Sequence, residues 1–394
     1  MLTYDTAIIG GGAAGIVAAI SAARKSASVI ICERMPKLGK KILVSGGGRC
    51  NLSNEALDGP HYNREGRGLV RSVFARFGRD DISGFFKEVG LEMYAEGGRV
   101  FPVTDQSSSV LKVLEMELKR LSVTVDFGFE AADIAGGDGF TVTSKAGKKI
   151  KSDKLIIAGG GKSYPALGSD GSCYALAKKF GHSVIEPVPV AVPLTVKDPL
   201  CHHLQGQKIA ARVKSIIDGN VEGEAAGELL FAKYGLSGTA ILDISDEISI
   251  AIHRHNKGDV FVSADMVPFM EKGALESELG RRIGRKVQAE EMLAGILPNK
   301  FSYLFREMFK APDTGKAAAA LKDRRFKVLG TRGWNEAEFT AGGVDAGEVE
   351  EGTLESKLKE GLYFAGEILD VHGGRGGYNL AWAWASGFIA GLAE

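Results

Sequence analysis

The stretch TAIIGGGAAG at residues 6–15 decides the fold of this chain, together with the apolar run VIIC at residues 29–32 and the acid Glu33 that ends it. Strand, Gly-x-Gly-x-x-Gly turn, helix, strand and terminal acid, in this order, form the complete dinucleotide-binding fingerprint. Gly10 permits the tight turn, Gly12 allows backbone amides to approach a pyrophosphate, and Gly15 allows the helix to pack on the strand. The sequence therefore predicts an adenine-dinucleotide site in a Rossmann-like α/β domain.

The acid at the end of the second strand narrows the choice of cofactor. Glu33 would accept hydrogen bonds from the two hydroxyls of an adenosine ribose and would repel a 2′-phosphate. FAD or NAD therefore fits this motif better than NADP. The residues of the first motif that we expect to contact the cofactor are Gly10, Gly12, Ala13, Ala14, Gly15, Glu33 and Arg34.

Bulk composition limits the classes of partner. The 394 residues include 49 basic and 49 acidic side chains, so no overall charge attracts nucleic acid or an anionic membrane. No apolar run is long enough to span a bilayer, and the four cysteines are widely spaced, which is typical of a reducing cytoplasm. His202-His203 and His253-x-His255 lack helical metal-ligand spacing. We predict a cytoplasmic protein with a small-molecule substrate, no metal, no nucleic acid and no membrane partner, and we leave its oligomeric state open.

The middle of the chain indicates an interrupted first domain. Residues 123–158 alternate like the short strands of a β-meander, at 123–127, 140–143, 149–152 and 155–158. Prolines at 187, 189 and 193 then mark an exit from this domain. The following segment predicts strands at 209–217, 241–244 and 260–264 and helices at 289–297, 302–309 and 316–321. We divide the chain into residues 1–189, an inserted substrate domain at 190–334, and a returning part at 335–394.

The C-terminal segment complements the first motif. A predicted strand at residues 362–365 meets Gly366-Glu367, and a glycine loop leads to a helix that starts near Tyr378. The Glu367 carboxylate is placed to bind ribityl hydroxyls or to lie beside a pyrophosphate. The helix would direct its positive end at the flavin N1–C2=O edge, an interaction worth about 1 kcal/mol. A plain NAD dehydrogenase does not need this second strand, glycine loop and helix at the end of the chain. The sequence therefore predicts FAD as the main cofactor.

Three stretches resemble one flavoprotein family: KKILVSGGGRCN at residues 40–51, FAKYGLSGTAIL at 231–242, and residues 361–387. They are similar to the aminoacetone-oxidase-like FAD flavoproteins, a group that includes dehydro-bile-acid-reductase-like members. The resemblance extends over nearly the whole chain and to the wider class with two dinucleotide-binding domains. It implies a Rossmann-like FAD-binding domain with a β-meander, interrupted by an inserted β-barrel plus helical domain.

The resemblance also implies further cofactor contacts. Ala131 would meet the adenine through its backbone. Two positions depart from the family pattern, since Ala381 stands where many relatives carry Gln and Arg375 occupies a position that is usually uncharged. The expected cofactor residues of this second set are Lys41, Ser45, Gly46, Gly47, Gly48, Arg49, Cys50, Asn51, Ala131, Gly159, Gly160, Gly366, Glu367, Gly376, Gly377, Tyr378 and Asn379.

Several side chains near these motifs allow two interpretations. Residues 40–51 predict a glycine loop that wraps a ligand, or a flexible surface loop. Arg375 is a candidate for stabilising reduced flavin or binding an acidic substrate, or it is a loop arginine paired with Asp370. His372 is a candidate proton donor or a histidine bonded to backbone. Cys50 has no partner cysteine, which favours a small buried residue over a redox group.

These observations predict an FAD-dependent oxidoreductase that accepts a hydride from NADH or NADPH and reduces a small organic acceptor. One alternative is an amine oxidase of the aminoacetone type that uses oxygen. An alternative of another class is an FAD-binding RNA-modification or regulatory protein. The chain lacks a second complete Gly-x-Gly-x-x-Gly motif with a terminal acid, so no dedicated NAD(P)H motif is predicted.

Overall fold

The computed structural model describes residues 2–57, 59–309 and 313–392. The chain forms two compact units, one of residues Met1–Pro187 with Phe339–Glu394 and one of Val188–Glu338; we call them the first unit and the inserted unit. A substrate-binding role for the inserted unit stays a prediction. The strands are, in chain order, β1 (Leu2–Ile9), β2 (Val29–Glu33), β3 (Ser53–Asn54), β4 (Met93–Glu96), β5 (Arg99–Pro102), β6 (Thr124–Phe127), β7 (Ala131–Gly137), β8 (Gly139–Ser144), β9 (Lys149–Ile157), β10 (Val184–Val190), β11 (Leu194–Val196), β12 (Lys208–Ile217), β13 (Asn220–Ala232), β14 (Gly235–Ser237), β15 (Val260–Asp265), β16 (Arg324–Thr331), β17 (Phe339–Val344) and β18 (Leu362–Phe364).

The helices alternate with these strands in the first unit. None of the described helices combines the length and the hydrophobicity needed to cross a membrane. The helices are α1 (Ala13–Arg24), α2 (Lys40–Val44), α3 (Arg67–Arg76), α4 (Arg79–Glu88), α5 (Ser107–Arg120), α6 (Ser172–Lys178), α7 (Pro199–His203), α8 (Thr239–Asp243), α9 (Ser245–His253), α10 (Lys272–Gly284), α11 (Asn299–Phe305), α12 (Thr314–Lys322) and α13 (Tyr378–Gly391).

The main sheet of the first unit has the order β6-β2-β1-β9-β8-β7, and β18 pairs with β9 as well. β1, β2, β6, β9 and β18 are joined by parallel pairings, whereas β7 and β8 join as an antiparallel hairpin. β2 and β18 are buried along their whole length and need no polar alternation, whereas the edge strand β6 and the first half of β9 are partly exposed. The predicted Rossmann-like α/β fold with a β-meander is confirmed.

Two details of the predicted meander are wrong. Residues 123–127 do not belong to it, because β6 joins the parallel sheet beside β2. Residues 149–157 form one strand rather than two, because β9 pairs with β1 along nearly its whole length. On its other edge it pairs first with β8 and then with β18, and side-chain alternation alone could not reveal this change of partner within one strand.

The inserted unit contains a closed barrel of order β11-β14-β13-β12-β15-β16, so the β-barrel implied by the family resemblance is confirmed. The strand predicted at 241–244 is wrong. Thr239–Asp243 is the short helix α8, which follows Gly238 and buries Ala240 and Ile241. The predicted helix at 289–297 is also wrong, since only Ala289–Glu291 forms a short 3-10 helix.

Helices α1 and α13 pack directly against each other in the first unit. A Cβ on Gly387 would overlap the carbonyl oxygen of Ala14, and one on Gly391 would overlap that of Ala18. Both contacts advance by four residues on each helix, so the helices run parallel. The absence of these two side chains allows the backbones to touch.

Candidate dinucleotide and flavin site

The first glycine turn contains two glycines that are packed against backbone atoms and one that borders open space. Gly10 has φ +105°, and a Cβ there would lie 2.5 Å from the carbonyl oxygen of Ala158. A Cβ on Gly15 would overlap the carbonyl oxygen of Gly10, whereas one on Gly12 would meet no atom within 4 Å. Two of the three glycines therefore serve packing, and Gly12 leaves space beside the turn.

Gly12 is also the N-cap of α1, and no side chain caps this helix end. The first N–H groups of a helix lack intrahelical partners and carry partial positive charge. An uncapped helix N-terminus next to an open glycine suits an anionic group such as a pyrophosphate.

Glu33 lies at the end of β2 and is only 8% exposed. Its Oε2 accepts a hydrogen bond of 2.6 Å from the Gly11 N–H, and its Oε1 accepts one of 2.6 Å from the Met35 N–H. Burial raises the pKa of Glu33, and the two N–H groups oppose this rise. Because each carboxylate oxygen can accept a second hydrogen bond, the side chain can hold the turn and still bind ribose hydroxyls.

Arg34 follows directly but is engaged by protein acids. Its guanidinium group forms ion pairs with Asp170 at 2.6 Å and with Glu130 at 3.4 Å. These contacts connect the end of β2 to the segments before β7 and α6. Ala131, the expected adenine contact, begins β7 directly after Glu130, and its contact with the cofactor stays a prediction.

A polar network joins four separate segments beside the turn. Lys41 Nζ lies 2.7 Å from Glu367 Oε2 and donates to Ser163 Oγ at 2.8 Å. Glu367 Oε1 accepts from the Thr340 N–H at 2.9 Å and from Ser163 Oγ at 3.1 Å. A Cβ on Gly161 would lie 3.1 Å from Glu367 Cδ. The network therefore positions Glu367 against the glycine segment that follows β9.

Sequence reasoning identified Lys41 and Glu367 of this network but missed Ser163 and Thr340. A serine hydroxyl carries no sequence pattern that would reveal a partner 204 residues away, and Thr340 contributes a backbone N–H, which almost every residue has. The signal that remained was the double glycine at 160–161, which allows a close approach.

The segment predicted as a loop at 40–51 is partly helical. Lys40–Val44 forms α2, and Ser45–Gly48 forms a 3-10 turn in which Gly46 and Gly47 have φ +56° and +66°. α2 forms because Ile42 is buried against the core and the Leu43 carbonyl accepts from Ser107 Oγ. The loop prediction is therefore wrong for residues 40–44.

Arg49 anchors the end of this segment to the β4–β5 hairpin. Its Nε donates to Asp105 at 2.9 Å, and its NH2 group donates to the Tyr94 hydroxyl at 2.5 Å and to Glu96 at 3.1 Å. The guanidinium carbon lies 4.1 Å from the centroid of the Phe101 ring. The charge of Arg49 is thus held by protein groups, and the glycines before it remain the part of the segment open to a ligand.

Cys50 is buried, as expected for a small residue packed in the protein interior. Its side chain is fully buried, and burial raises the pKa of the thiol to about 12. A thiol with this pKa stays protonated at neutral pH and is a poor nucleophile.

The loop before α13 is closed by its own side chains. Asn379 Oδ1 accepts from the Gly373 N–H at 2.9 Å, and its Nδ2 donates back to the Gly373 carbonyl at 2.8 Å. Asn54 Nδ2 donates to the Gly376 carbonyl at 2.9 Å. Tyr378 is buried, and its carbonyl accepts from the Tyr62 hydroxyl at 2.9 Å. These contacts hold the N-terminus of α13 in place.

The two candidate catalytic residues lie in this same loop. His372 is buried, its N–H donates to Asn63 Oδ1 at 3.0 Å, and its ring lies 6.4 Å from that of Phe339. Arg375 is partly exposed and lies between Gly374 and Gly376. Asp370, the alternative partner considered for Arg375, is buried and accepts from the Gly342 N–H at 3.0 Å.

The N-termini of α1 and α13 are offset along a common direction. Ala14 is the second residue of α1, while its neighbour Gly387 lies nine residues after the start of α13. α13 therefore begins eight residues earlier, about 12 Å at 1.5 Å per residue. A pyrophosphate at α1 and a flavin ring at α13 are separated by a ribityl chain, and this offset suits that arrangement.

The open glycines provide an independent test of the fit of FAD. A Cβ at Gly12, Gly47, Gly48 or Gly374 would meet no atom within 4 Å. These positions belong to the α1 turn, the segment after α2 and the loop before α13, which are the three segments expected along the cofactor. The residues present therefore fit FAD.

The parallel sheet, the glycine turn at α1 and the second helix N-terminus at α13 define a Rossmann-type flavoprotein. A family model for HI0933-like protein Rossmann domains matches residues 4–393. The chain is 39% identical to the 3-dehydro-bile acid delta(4,6)-reductase of Clostridium scindens over 98% of both chains. It is 32% identical to the ribosomal RNA dihydrouridine synthase of Escherichia coli over 98% of this chain and 96% of that one.

Among solved structures, the 3-ketosteroid delta1-dehydrogenase of Sterolibacterium denitrificans superposes with a TM-score of 0.52 at 12% identity, covering 99% of each chain. The 3-ketosteroid-delta4-(5alpha)-dehydrogenase of Rhodococcus jostii has a TM-score of 0.50 at 14% identity, covering 100% of this chain and 96% of that one. This chain belongs to the HI0933-like family. The predictions of the flavoprotein family, of FAD as cofactor and of an FAD-dependent oxidoreductase are confirmed.

Proposed function

We propose that this protein transfers a hydride from NADH or NADPH, through FAD, to a carbon–carbon double bond conjugated with a carbonyl group in a small organic molecule. The observation that carries the proposal is the offset pair of helix N-termini, one suited to the pyrophosphate of FAD and the other to its ring. FAD, when bound, supplies the hydride chemistry. One hydride and one proton are added across the double bond, and the donor leaves as NAD⁺ or NADP⁺.

The named relatives support this bond class. A 3-dehydro bile acid with double bonds at positions 4 and 6 has those bonds conjugated with its ketone. Dihydrouridine is uridine saturated at the ring bond that is conjugated with a carbonyl. Both names therefore describe the same addition to an activated alkene, and the 39% identity over the whole chain favours the small-molecule acceptor.

The proposal gives this chain's residues distinct tasks. The N–H groups at Gly12 and in the first turn of α1 bind the pyrophosphate, and Glu33 binds the ribose. Glu367, held by Lys41, orients the ribityl chain. The N-terminus of α13 and the loop that contains Arg375 stabilise negative charge on the reduced ring, and His372 or a water molecule supplies the proton.

RNA modification is a second candidate, favoured by the 32% identity to the Escherichia coli enzyme. The expected absence of a nucleic-acid partner stays a prediction. The basic stretch at 322–327 offers little free charge, because three of its four cations form ion pairs within the chain and Lys327 lies over the Phe261 ring. These ion pairs are Lys322–Asp265 at 2.6 Å, Arg324–Asp198 at 2.7 Å and Arg325–Asp323 at 3.3 Å.

Anaerobic half-reactions test the proposal. The yellow protein should bleach within seconds on mixing with NADH or NADPH, and a 3-oxo-4,6-diene steroid should then restore the colour and gain two mass units. Restoration by an rRNA fragment that contains uridine, but not by the steroid, would replace the first candidate by the second. Bleaching by aminoacetone without NAD(P)H would instead support the oxidase alternative.

The role of Glu33 is tested through cofactor retention. The change Glu33→Ala removes the proposed ribose contact and should raise the Kd of FAD at least tenfold, about 1.4 kcal/mol. Glu33→Gln keeps an acceptor oxygen, so its Kd for FAD should lie between those of the wild type and Glu33→Ala. Equal FAD content in all three proteins after dialysis would refute the ribose role.

A further inference from the structure

An exposed arginine face lies directly beside the loop that precedes α13. It consists of Arg64, Arg67 and Arg71, which we call the arginine face, and all three side chains are exposed. Arg67 and Arg71 are one helical turn apart on α3, and Arg64 lies in the turn before that helix. The three cations therefore lie along one side of the segment, over about 10 Å at 1.5 Å per residue.

The charges of this face are not neutralised within the described part of the chain. Arg67 Nε donates to the Tyr62 carbonyl at 3.1 Å, and Arg71 Nε donates to the Arg67 carbonyl at 3.4 Å. Neither these two residues nor Arg64 forms an ion pair with any residue that the structure describes. In contrast, Arg34 and Arg49 both bind carboxylates. The guanidinium groups of the arginine face are thus oriented by backbone while their charge remains available.

Two acids among the described residues lie close to this segment. Glu65 is exposed between Arg64 and Arg67 in the sequence, and Glu351 lies close to Gly68. Arg67 begins α3, a helix position where acids are favourable and cations are not. The charge of Arg67 is therefore not favoured by the dipole of the helix.

The contacts of the preceding segment connect the arginine face to the ring end of the site. Tyr62 forms a β-bridge with Gly373, and the Gly374 N–H donates to the His61 carbonyl at 3.0 Å. The His61 ring stacks on Tyr378, the first residue of α13, with centroids 4.5 Å apart. The face and the N-terminus of α13 thus belong to one continuous surface of the first unit.

We propose that Arg64, Arg67 and Arg71 bind the phosphates of the hydride donor and that this donor is NADPH. The inference rests on the proposed function, which requires a donor but leaves it unassigned. The donor's nicotinamide must reach the flavin ring, so its phosphates must bind near the ring end of the site. NADPH carries a pyrophosphate and a 2′-phosphate, and arginine binds such oxygens through paired N–H donors.

The size of the face favours a dinucleotide over RNA. Three arginines over about 10 Å can contact two or three phosphates, whereas stable RNA binding needs a longer positive surface. The exposed Glu65 beside the face would repel a longer phosphate chain. RNA is therefore the competing outcome of the test.

Direct binding measures this site without turnover. Titration calorimetry of the FAD-loaded protein with 2′,5′-ADP should give a Kd that rises at least tenfold in Arg64→Glu and in the pair Arg67→Gln/Arg71→Gln. The Arg64 side chain forms no hydrogen bond with any residue that the structure describes, so the effect of Arg64→Glu reports charge. Glu65→Gln should lower the Kd. The control Arg79→Gln, on α4 and paired with Asp80, should leave it unchanged.

Kinetics provide the second readout. The same variants should raise the KM for NADPH at least tenfold, should retain the flavin absorbance of the wild type, and should flatten the dependence of KM on ionic strength. A Kd and a KM within twofold of wild type in the variants would overturn the inference. Loss of rRNA-fragment binding with unchanged 2′,5′-ADP binding would also overturn it and assign the face to RNA. Failure of NADH and NADPH to bleach the wild-type flavin would instead refute the proposed function, whatever the Kd of 2′,5′-ADP.

Discussion

Gly12 and Gly15 belong to the same turn but have opposite surroundings. A side chain at Gly15 would overlap the Gly10 carbonyl, while one at Gly12 would enter open space. Gly12 has φ −83°, which any residue adopts. One glycine is therefore required for folding, and the other is required for the approach of the cofactor.

This difference predicts separable effects of one substitution at two positions. Gly12→Ala should leave the Tm of the cofactor-free protein within about 2 °C of wild type but raise the Kd of FAD at least tenfold, about 1.4 kcal/mol. Gly15→Ala should lower the Tm as well, because the turn itself is displaced. Thermal unfolding and FAD titration check both; equal FAD affinity in Gly12→Ala and wild type would contradict the open-glycine argument.

His182 predicts how stability depends on pH. Its Nε2 lies 2.7 Å from Ser356 Oγ, and its Nδ1 lies 3.0 Å from Glu348 Oε2. Ser356 Oγ already accepts the N–H groups of Leu358 and Lys359, both at 3.0 Å. The hydroxyl therefore donates to Nε2, and burial lowers the pKa of His182 from 6.5. The buried imidazole is neutral.

Because the unfolded chain binds a proton on His182 at a higher pH than the folded chain, stability falls as the pH drops below about 6.5. The free energy of unfolding, measured by urea titration, should decrease between pH 7.5 and pH 5.5. In His182→Gln this part of the decrease should disappear. The same slope in both proteins would show that His182 does not titrate differently on folding.

At the scale of elements, the contact between α1 and α13 determines the geometry of the site. The two helices touch through Gly387 and Gly391, and Trp382 Nε1 donates to the Gly366 carbonyl at 3.2 Å. Gly366 in turn lies against Ala14, since a Cβ on it would be 2.8 Å from that side chain. Any change in the helix separation would therefore move the N-terminus of α13 relative to the first turn.

Gly387→Ala should destabilise the protein by about 1–3 kcal/mol, because the added methyl group overlaps the backbone of α1. The matched control is Gly84→Ala within α4, where a Cβ meets no atom within 4 Å and alanine should stabilise by about 0.5–1 kcal/mol. Urea unfolding measures both changes. The same sign of change at the two glycines would contradict the packing assignment.

Elements also show where sequence reasoning reaches its limit. The ordered fingerprint at residues 6–33 predicted the Rossmann fold because each of its parts has its own physical requirement. The strand prediction at 241–244 was wrong because a run of four apolar residues is too short to show the periodicity that distinguishes a helix from a strand. The close packing of Gly387 and Gly391 on α1 could not be predicted either, because a glycine within a helix indicates close packing only when the partner helix is known.

Of the glycines expected at the site, Gly12, Gly47 and Gly48 border open space, whereas several others pack against protein atoms, and their contacts with a cofactor stay a prediction. The side chains depart further from the sequence-based expectation. Arg34 and Arg49 carry charges that suit a nucleotide, yet both bind protein carboxylates. Ser163 and Thr340 gave no sequence signal, although they hold Glu367. Partners of this kind depend on contacts between distant segments, which a single sequence does not reveal.

At the scale of the whole molecule, all four cysteines are buried, and burial raises the pKa of each thiol to about 12. The native protein should therefore release no colour from Ellman's reagent at pH 8 over minutes, while the denatured chain should react at four thiols. Rapid reaction of one thiol in the native state would show local opening that exposes it. Any redox activity of the native protein then belongs to the flavin.

The offset between the N-termini of α1 and α13 has a consequence for cofactor selection. A molecule contacts both helix ends and also Glu33 only if it extends from the ring site past the pyrophosphate to the adenine ribose. FMN ends at its single phosphate, so it would lose the contacts with Glu33 and with much of the first turn. The position of Glu33 beyond the two helix ends thus makes molecular length itself a criterion by which the protein distinguishes FAD from its shorter precursor.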